Sequence, residues 1–230
     1  MSAMVYLIPC PIAEDAMHTL SPQIVEAVKQ CEVFFVENER SARRFLKKIW
    51  KEMVIDDYKW YVIQDSNSPH IFGQHAKAGK KIGIISEAGC PGVADPGQEL
   101  VAVAQDLKLK VVPLVGPSSL LLALMASGMN GQNFCFHGYL PIDNSLRVKA
   151  LKELEAEIRK KGSTHLFIET PYRNNQMLDS ILRNLQQDIR LCLAVELTGK
   201  EESVKTRTIG EWKKAIPDLH KKTVIFLLGK

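Results

Sequence analysis

Apolar positions follow two rhythms along this chain. Short, nearly continuous runs of branched and aromatic residues, closed by glycine, proline or charge, predict strands at 5–8, 33–37, 60–64, 81–85 and 111–115. Between them, apolar residues recur at helical spacing and predict helices over 21–30, 41–51 and 72–78. A fourth helix is predicted to open at Gly97 and to run through Leu100, Val101, Val103, Ala104 and Leu107. Ser21-Pro22 suits a helix start, because the N–H that proline lacks would have no helical partner there. From residue 120 onward the pattern predicts helices at 120–127, 145–161, 172–185 and 211–216, and strands at 134–137, 164–169, 190–196 and 223–228. Residues 204–208 alternate as an edge strand or hairpin arm would. The segment 120–126 is apolar on every face, so its expected place is buried between two halves of the molecule.

Regular alternation of strand and helix implies an α/β fold with mostly parallel sheets covered on both faces. Two α/β domains are expected, 1–115 and 116–230, joined near Val115-Gly116-Pro117. Composition keeps the chain in the globular class, with 46% hydrophobic and 24% charged residues. No apolar run approaches the roughly 18 residues of a membrane span, and the opening residues lack the basic start of a signal peptide. A cytoplasmic enzyme with no membrane partner is therefore expected. Cysteines 10, 31, 90, 135 and 192 lie far apart with no Cys-x-x-Cys, and the six histidines show no ligand spacing. Reduced thiols and no metal are expected.

The turns carry more information than the elements. In open α/β sheets, ligands bind outside the carboxyl ends of the strands. Five unusual turns are predicted to follow strands in this way: Pro9-Cys10-Pro11-Ile12, the segment 86–97 (Ser-Glu-Ala-Gly-Cys-Pro-Gly-Val-Ala-Asp-Pro-Gly), Gly116-Pro117-Ser118-Ser119, Glu169-Thr170-Pro171-Tyr172-Arg173 and Glu196-Leu197-Thr198. Glycine and proline fix a backbone whose amides lack side-chain cover, which suits ligand binding. No Gly-x-Gly-x-x-Gly follows the first strand, and neither a P-loop nor a Gly-x-Ser-x-Gly elbow occurs, so ordinary dinucleotide, P-loop and serine-hydrolase chemistry is disfavoured. Ser118 and Ser119 are expected to cap a helix and hydrogen-bond a ligand rather than to act as nucleophiles.

Taken in order with His137-Gly138-Tyr139-Leu140-Pro141, Ile168 to Arg173 and Ala194-Val195-Glu196-Leu197-Thr198, these motifs resemble the tetrapyrrole methylase superfamily of S-adenosylmethionine-dependent methyltransferases. Within it, the chain looks most similar to the bacterial small-subunit rRNA ribose 2′-O-methyltransferases. The resemblance implies two α/β domains with S-adenosylmethionine in the cleft between them, in a homodimer. It implies cofactor contacts from Pro11 and Ile12, from Cys90, Val93, Ala94 and Asp95, from Ser118 and Ser119, from Ile168 and Glu169, and from Ala194 and Val195. The chain departs from the ribose methylases at Ala13-Glu14-Asp15, at Asn38-Glu39-Arg40 and at Ile142-Asp143, on the side expected to meet the acceptor.

A hydroxyl acceptor must lose its proton as it attacks, which calls for a base within hydrogen-bond reach. Glu37, Glu169 and Glu196 all stand at predicted strand ends. Glu37 or Glu169 is the expected base, with Arg173 orienting carboxylate or phosphate; a structural Glu169–Arg173 ion pair is the alternative. Arg40, Arg43, Arg44, Lys47, Lys48 and Lys51 recur along one helix face, with the first four taken as the substrate-binding set. Such a stripe suits ribosomal RNA or the small subunit as partner, or else simply solvates a surface. A tetrapyrrole or other small-molecule acceptor, and a non-catalytic S-adenosylmethionine- or RNA-binding module, remain alternatives.

Overall fold

The computed structural model describes residues 3–230. They form two compact units, one ending at Ser118 and the other running from Ser119 to Lys230.

The first unit is built on a five-stranded sheet. Its strands are β1 (Met4–Ile8), β2 (Val33–Val36), β3 (Lys59–Val62), β4 (Lys81–Ile85) and β5 (Lys110–Pro113). Their order is β3-β2-β4-β1-β5 with every pairing parallel. Helices α1 (Gln23–Val28), α2 (Glu39–Ile49), α3 (Ser68–Lys77) and α4 (Gln98–Asp106) make the crossovers. All of β2, Val-Phe-Phe-Val, is buried, as expected of a parallel strand covered on both faces. Phe34 and Val36 join Ile24, Val28, Ala42 and Leu46 of α1 and α2 in one core, while Val33 and Phe35 join Phe72, Ala76, Leu100 and Ala104 of α3 and α4 in another. Gly83 of β4 lies where a Cβ would stand 2.7 Å from the Phe34 ring and 2.9 Å from Ile8. The close packing of Phe34 and Ile8 over β4, on the α1/α2 face of the sheet, therefore requires glycine. Asn38 starts α2 by accepting hydrogen bonds from the amides of Arg40 and Ser41.

The second unit contains α5 (Ser119–Ser127), β6 (Phe134–Tyr139), α6 (Asn144–Lys161), β7 (Thr164–Ile168), α7 (Asn174–Asn184), β8 (Arg190–Val195), β9 (Ser203–Thr208), α8 (Ile209–Trp212) and β10 (Val224–Gly229). The sheet order is β6-β7-β10-β8-β9. Here the expected parallel pairing holds only for β6 and β7, and the other three pairings are antiparallel. The reason is connection length: the few residues between β8 and β9 cannot carry a crossover, so the two strands close as a hairpin. The unit keeps its α/β character. Helices α6, α7 and α8 cover one face through Leu151, Ile158, Met177, Ile181 and Trp212, and α5 covers the other.

Helix α5 departs from expectation. Leu120, Ala123 and Leu124 pack on the sheet, but Leu121 and Met125 are 53% and 79% exposed, so an all-apolar composition does not bury it all round. Several helix boundaries also moved, two of them at informative starts. Helix α3 starts at Ser68 with proline in its first turn, and α8 starts at Ile209, where Thr208 and Glu211 form a reciprocal capping box. Among the described residues, no helix is long and apolar enough to cross a membrane.

Candidate active site

Because β1 sits beside β4 while their crossover helices lie on opposite faces, the connections diverge at the carboxyl ends of these strands. That divergence opens a crevice. Three of the five turns singled out in the sequence meet there. Cys10 and Gly89 exchange both backbone hydrogen bonds, at 2.8 and 3.1 Å, which ties the turn after β1 to the one after β4. The Cys90 thiol lies 3.4 Å from the Pro117 carbonyl oxygen and donates to it, bringing in the turn after β5. Gly116 closes the arrangement: a Cβ there would fall 2.2 and 2.3 Å from the Pro9 ring. Pro11, Ile12, Cys90 and Ser118 thus belong to one cluster of loops. Val93, Ala94 and Asp95 lie on the same loop as Cys90, with Ala94 in the left-handed region at φ 63°. Among the described residues, the amides of Ala94 and Asp95 donate to no backbone carbonyl.

The crevice is acidic. The Glu37 carboxylate, at the end of β2, accepts the Glu87 amide at 3.0 Å, and the Glu87 carboxylate accepts the Ser41 hydroxyl at 2.9 Å. Asp95 is pushed up to about 6, first by burial and then by the charges of Glu37 and Glu87. The same three acids, together with burial as the largest cause, raise the Cys10 thiol to about 12, so it stays protonated and inert. Asp95 also lines a hollow of about 380 Å³ beside the start of α4, together with Asp65 and Glu99.

A groove of about 260 Å³ runs between the turn after β1 and helix α2. Pro11, Ile12, Met17 and Phe45 give it apolar walls, and Arg44, Lys48, Glu14 and Glu87 give it charge. Three lining residues, Glu14, Ser41 and Glu87, carry no site role in the sequence reading, and Lys48 enters it only through the basic stripe. For Lys48 the available signal was its place one helical turn beyond Arg44.

The basic stripe of α2 divides. Arg40 and Arg44 are exposed. Arg43 instead pairs with Glu39 and lies over the Trp60 ring at 5.2 Å, and Lys47 donates to the carbonyls of Lys51 and Met53 at 2.6 and 2.9 Å. Those two cations serve the helix and its C-terminal turn, which is a correction to the uniform stripe.

In the second unit, β10 lies between β7 and β8, and Ile225 pairs with both Ile168 and Ala194. Ile168, Glu169, Ala194 and Val195 therefore stand together at one end of the sheet. Ser119 opens α5, the helix on the face where Ile168 and Ala194 pack. The Glu169 side chain is 2% exposed, and its Oε1 accepts from the Thr170 amide at 2.6 Å and from Arg173 Nε and Nη2 at 3.0 and 2.7 Å. The ion pair kept as an alternative is formed.

The family model of tetrapyrrole (corrin/porphyrin) methylases matches residues 4–213. The "Ribosomal RNA small subunit methyltransferase I" of Buchnera aphidicola subsp. Schizaphis graminum is 30% identical over 231 residues, covering 99% of this chain and 78% of that protein. The protein of the same name from Bacillus subtilis is 31% identical over 208 residues, covering 90% and 68%. In fold, the chain is similar to the methyltransferase CobJ, with TM-score 0.64 and 16% identity over 100% of this chain and 94% of that one. It is also similar to diphthine synthase, with TM-score 0.67 and 14% identity over 99% and 90%. With the motifs in order along both units and a family match over nearly the whole length, the chain belongs to the tetrapyrrole (corrin/porphyrin) methylase family and is a methyltransferase.

Proposed function

We propose that the protein transfers a methyl group from S-adenosylmethionine to a ribose 2′-hydroxyl of small-subunit ribosomal RNA. The observation that carries this reading is the meeting of three glycine- and proline-bearing turns at the divergence of the first sheet, beside a groove bearing Arg44 and Lys48. The names of the curated relatives point to small-subunit ribosomal RNA as the acceptor.

The residues present fit such a donor. A zwitterionic, adenine-bearing molecule needs fixed amides and carbonyls beside apolar walls. The amides of Ala94 and Asp95, which among the described residues donate to no backbone carbonyl, the Ser118 hydroxyl and the Pro11-Ile12 wall offer them. On this reading Pro11, Ile12, Cys90, Val93, Ala94, Asp95 and Ser118 of the first unit hold the donor. The same role is proposed for Ser119, Ile168, Glu169, Ala194 and Val195 of the second. When bound, S-adenosylmethionine supplies a methyl already activated by its sulfonium.

The protein's own work is then alignment and proton removal. Alignment of this kind is worth roughly 7 to 11 kcal/mol. Glu37 is the proposed proton acceptor, since one carboxylate oxygen is fixed by the Glu87 amide while the group remains only half-buried. Arg173 holds Glu169, so this pair is assigned to positioning the end of β7. Arg40, Arg44 and Lys48 are the cations proposed to meet phosphate. The cytoplasm is the proposed place of action and a homodimer the proposed assembly, which light scattering of the purified chain checks.

The test is incubation of the purified chain with methyl-labelled S-adenosylmethionine and small ribosomal subunits from cells lacking the gene. Label should enter RNA at a ribose, and Glu37→Gln should slow transfer at least tenfold while leaving donor affinity, read by calorimetry, unchanged. Donor uptake with no label in RNA overturns the acceptor. No uptake overturns the chemistry.

A further inference from the structure

In the second unit, an aromatic pair stands in solvent at the same sheet end as Ile168 and Ala194. Tyr172 is 71% exposed, and its ring meets that of His220 edge-on at 5.9 Å between centroids. A tyrosine this open is unusual for a turn that is otherwise tightly held. Lys221 donates its amide to the Pro171 carbonyl at 3.0 Å, and the Asn174 side chain donates to the Lys222 carbonyl at 2.7 Å. Asn175 accepts the Leu219 amide at 2.8 Å and donates to Asp218 at 2.7 Å. Two consecutive asparagines at the start of α7 thus clamp the 218–222 segment against the turn carrying Tyr172. The rings are displayed on a fixed mount rather than on a loose loop.

The surroundings are basic. His220, Lys221 and Lys222 are all exposed, and neither lysine joins an ion pair among the described residues. Of the neighbouring acids, Asp218 is committed to Asn175 and to the His220 amide, and Glu196 accepts from the Thr223 amide and hydroxyl. A rigid, solvent-facing aromatic flanked by cations is the arrangement that binds unpaired nucleotides, with the base stacked on the ring and the phosphate beside the cations.

We infer that Tyr172, with His220, Lys221 and Lys222, is a stacking platform for an unpaired base of the RNA acceptor. The platform rests on the RNA reading of the function. It places an RNA contact at the end of the sheet where Ile168, Glu169, Ala194 and Val195 stand.

The test uses the full chain and a short fluorescein-labelled single-stranded RNA, with the same sequence as a duplex for comparison, read by anisotropy over a range of salt. Tyr172→Ala should raise the single-strand Kd roughly tenfold, the order expected when one base loses its aromatic partner. Tyr172→Phe should bind as the wild type does, and duplex affinity should not change with either. The double variant Lys221→Ala/Lys222→Ala should flatten the slope of log Kd against log salt by about 1.4, as two lost phosphate contacts require. If the wild type binds single-stranded RNA and Tyr172→Ala binds it equally well, the platform is overturned while the RNA reading stands. If the wild type neither binds RNA nor labels it in subunits, the RNA reading fails and takes the platform with it. Because Tyr172 is exposed, the Tyr172→Ala variant should melt as the wild type does, which checks that its fold is intact.

Discussion

Asp95 carries a charge the fold resists. Its carboxyl titrates near 6 because burial and the neighbouring Glu37 and Glu87 disfavour the ionised form, whereas in the unfolded chain it titrates near the ordinary 3.8. The folded state therefore holds the proton over a window in which the unfolded state has lost it. Stability from this group is full below the ordinary value and is lost as pH rises through about 6. Asp95→Asn should stabilise the protein at pH 7.5, by about 1 kcal/mol once screening of a half-exposed group is allowed for. The gain should vanish at pH values below 3.8, where both states are protonated. Thermal melts at the two pH values check this, and an equal gain at both would rule out charge as the cause. From sequence, Asp95 could be placed on a turn expected to bind a ligand but its proton could not, because Glu37 and Glu87 reach it only through the folded sheet. The same limit explains α2. Arg43 and Lys47 look like Arg40 and Arg44 in sequence, and the Trp60 ring and the carbonyls of Lys51 and Met53 that divert them are tertiary and turn neighbours.

At the scale of elements, the site depends on loops whose mutual contact permits no extra atoms. Gly116→Ala would place a methyl group within the Pro9 ring's radius, so the turns after β1 and β5 must separate. The expected cost is about 1 to 3 kcal/mol, the usual range for overpacking. Donor affinity by calorimetry should fall with it, whereas Gly131→Ala, where nothing lies within 4 Å, should leave both unchanged. Undiminished donor affinity in Gly116→Ala would mean that loop contact is not what shapes the crevice. Strands β1 and β2 were legible as short apolar runs because burial on both faces leaves no polar position to obscure them, and β4 and β7 through their apolar stretches 82–85 and 166–168. Pairing direction was less legible. Val204 to Thr208 alternates as an edge strand does, and the structure makes β9 the edge beside β8. The insertion of β10 between β7 and β8 left no periodicity to find, since a buried strand reads the same in either direction.

Across the whole molecule, Asp95 in the first unit and a histidine pair in the second respond to acid with opposite signs. In the second unit, His165 is buried, lies 2.8 Å from His137 through ring nitrogens and 2.9 Å from the Ser163 hydroxyl, and faces Glu157 and Lys161 from α6. Burial holds both imidazoles below the ordinary histidine value, with each other's charge adding to it for His165 and Glu157 opposing it in both. Their contribution to stability is therefore present above 6.5 and is lost as pH falls through their folded values. Asp95 in the first unit gains over the adjoining range. Hydrogen exchange at pH 5 against pH 7.5, corrected for intrinsic rates, should show protection falling at β6, β7 and α6 relative to β1 and β4. Equal change in both units would refute the pair as a pH-sensitive element. By itself, the sequence determined the α/β class, most elements and the family, because local periodicity and the order of glycine- and proline-rich turns are written along the chain. Tertiary structure alone decided which turns meet, which cations stay open to solvent and which carboxyl keeps its proton. Each of those depends on distances between residues far apart in the chain, which only strand order and packing set.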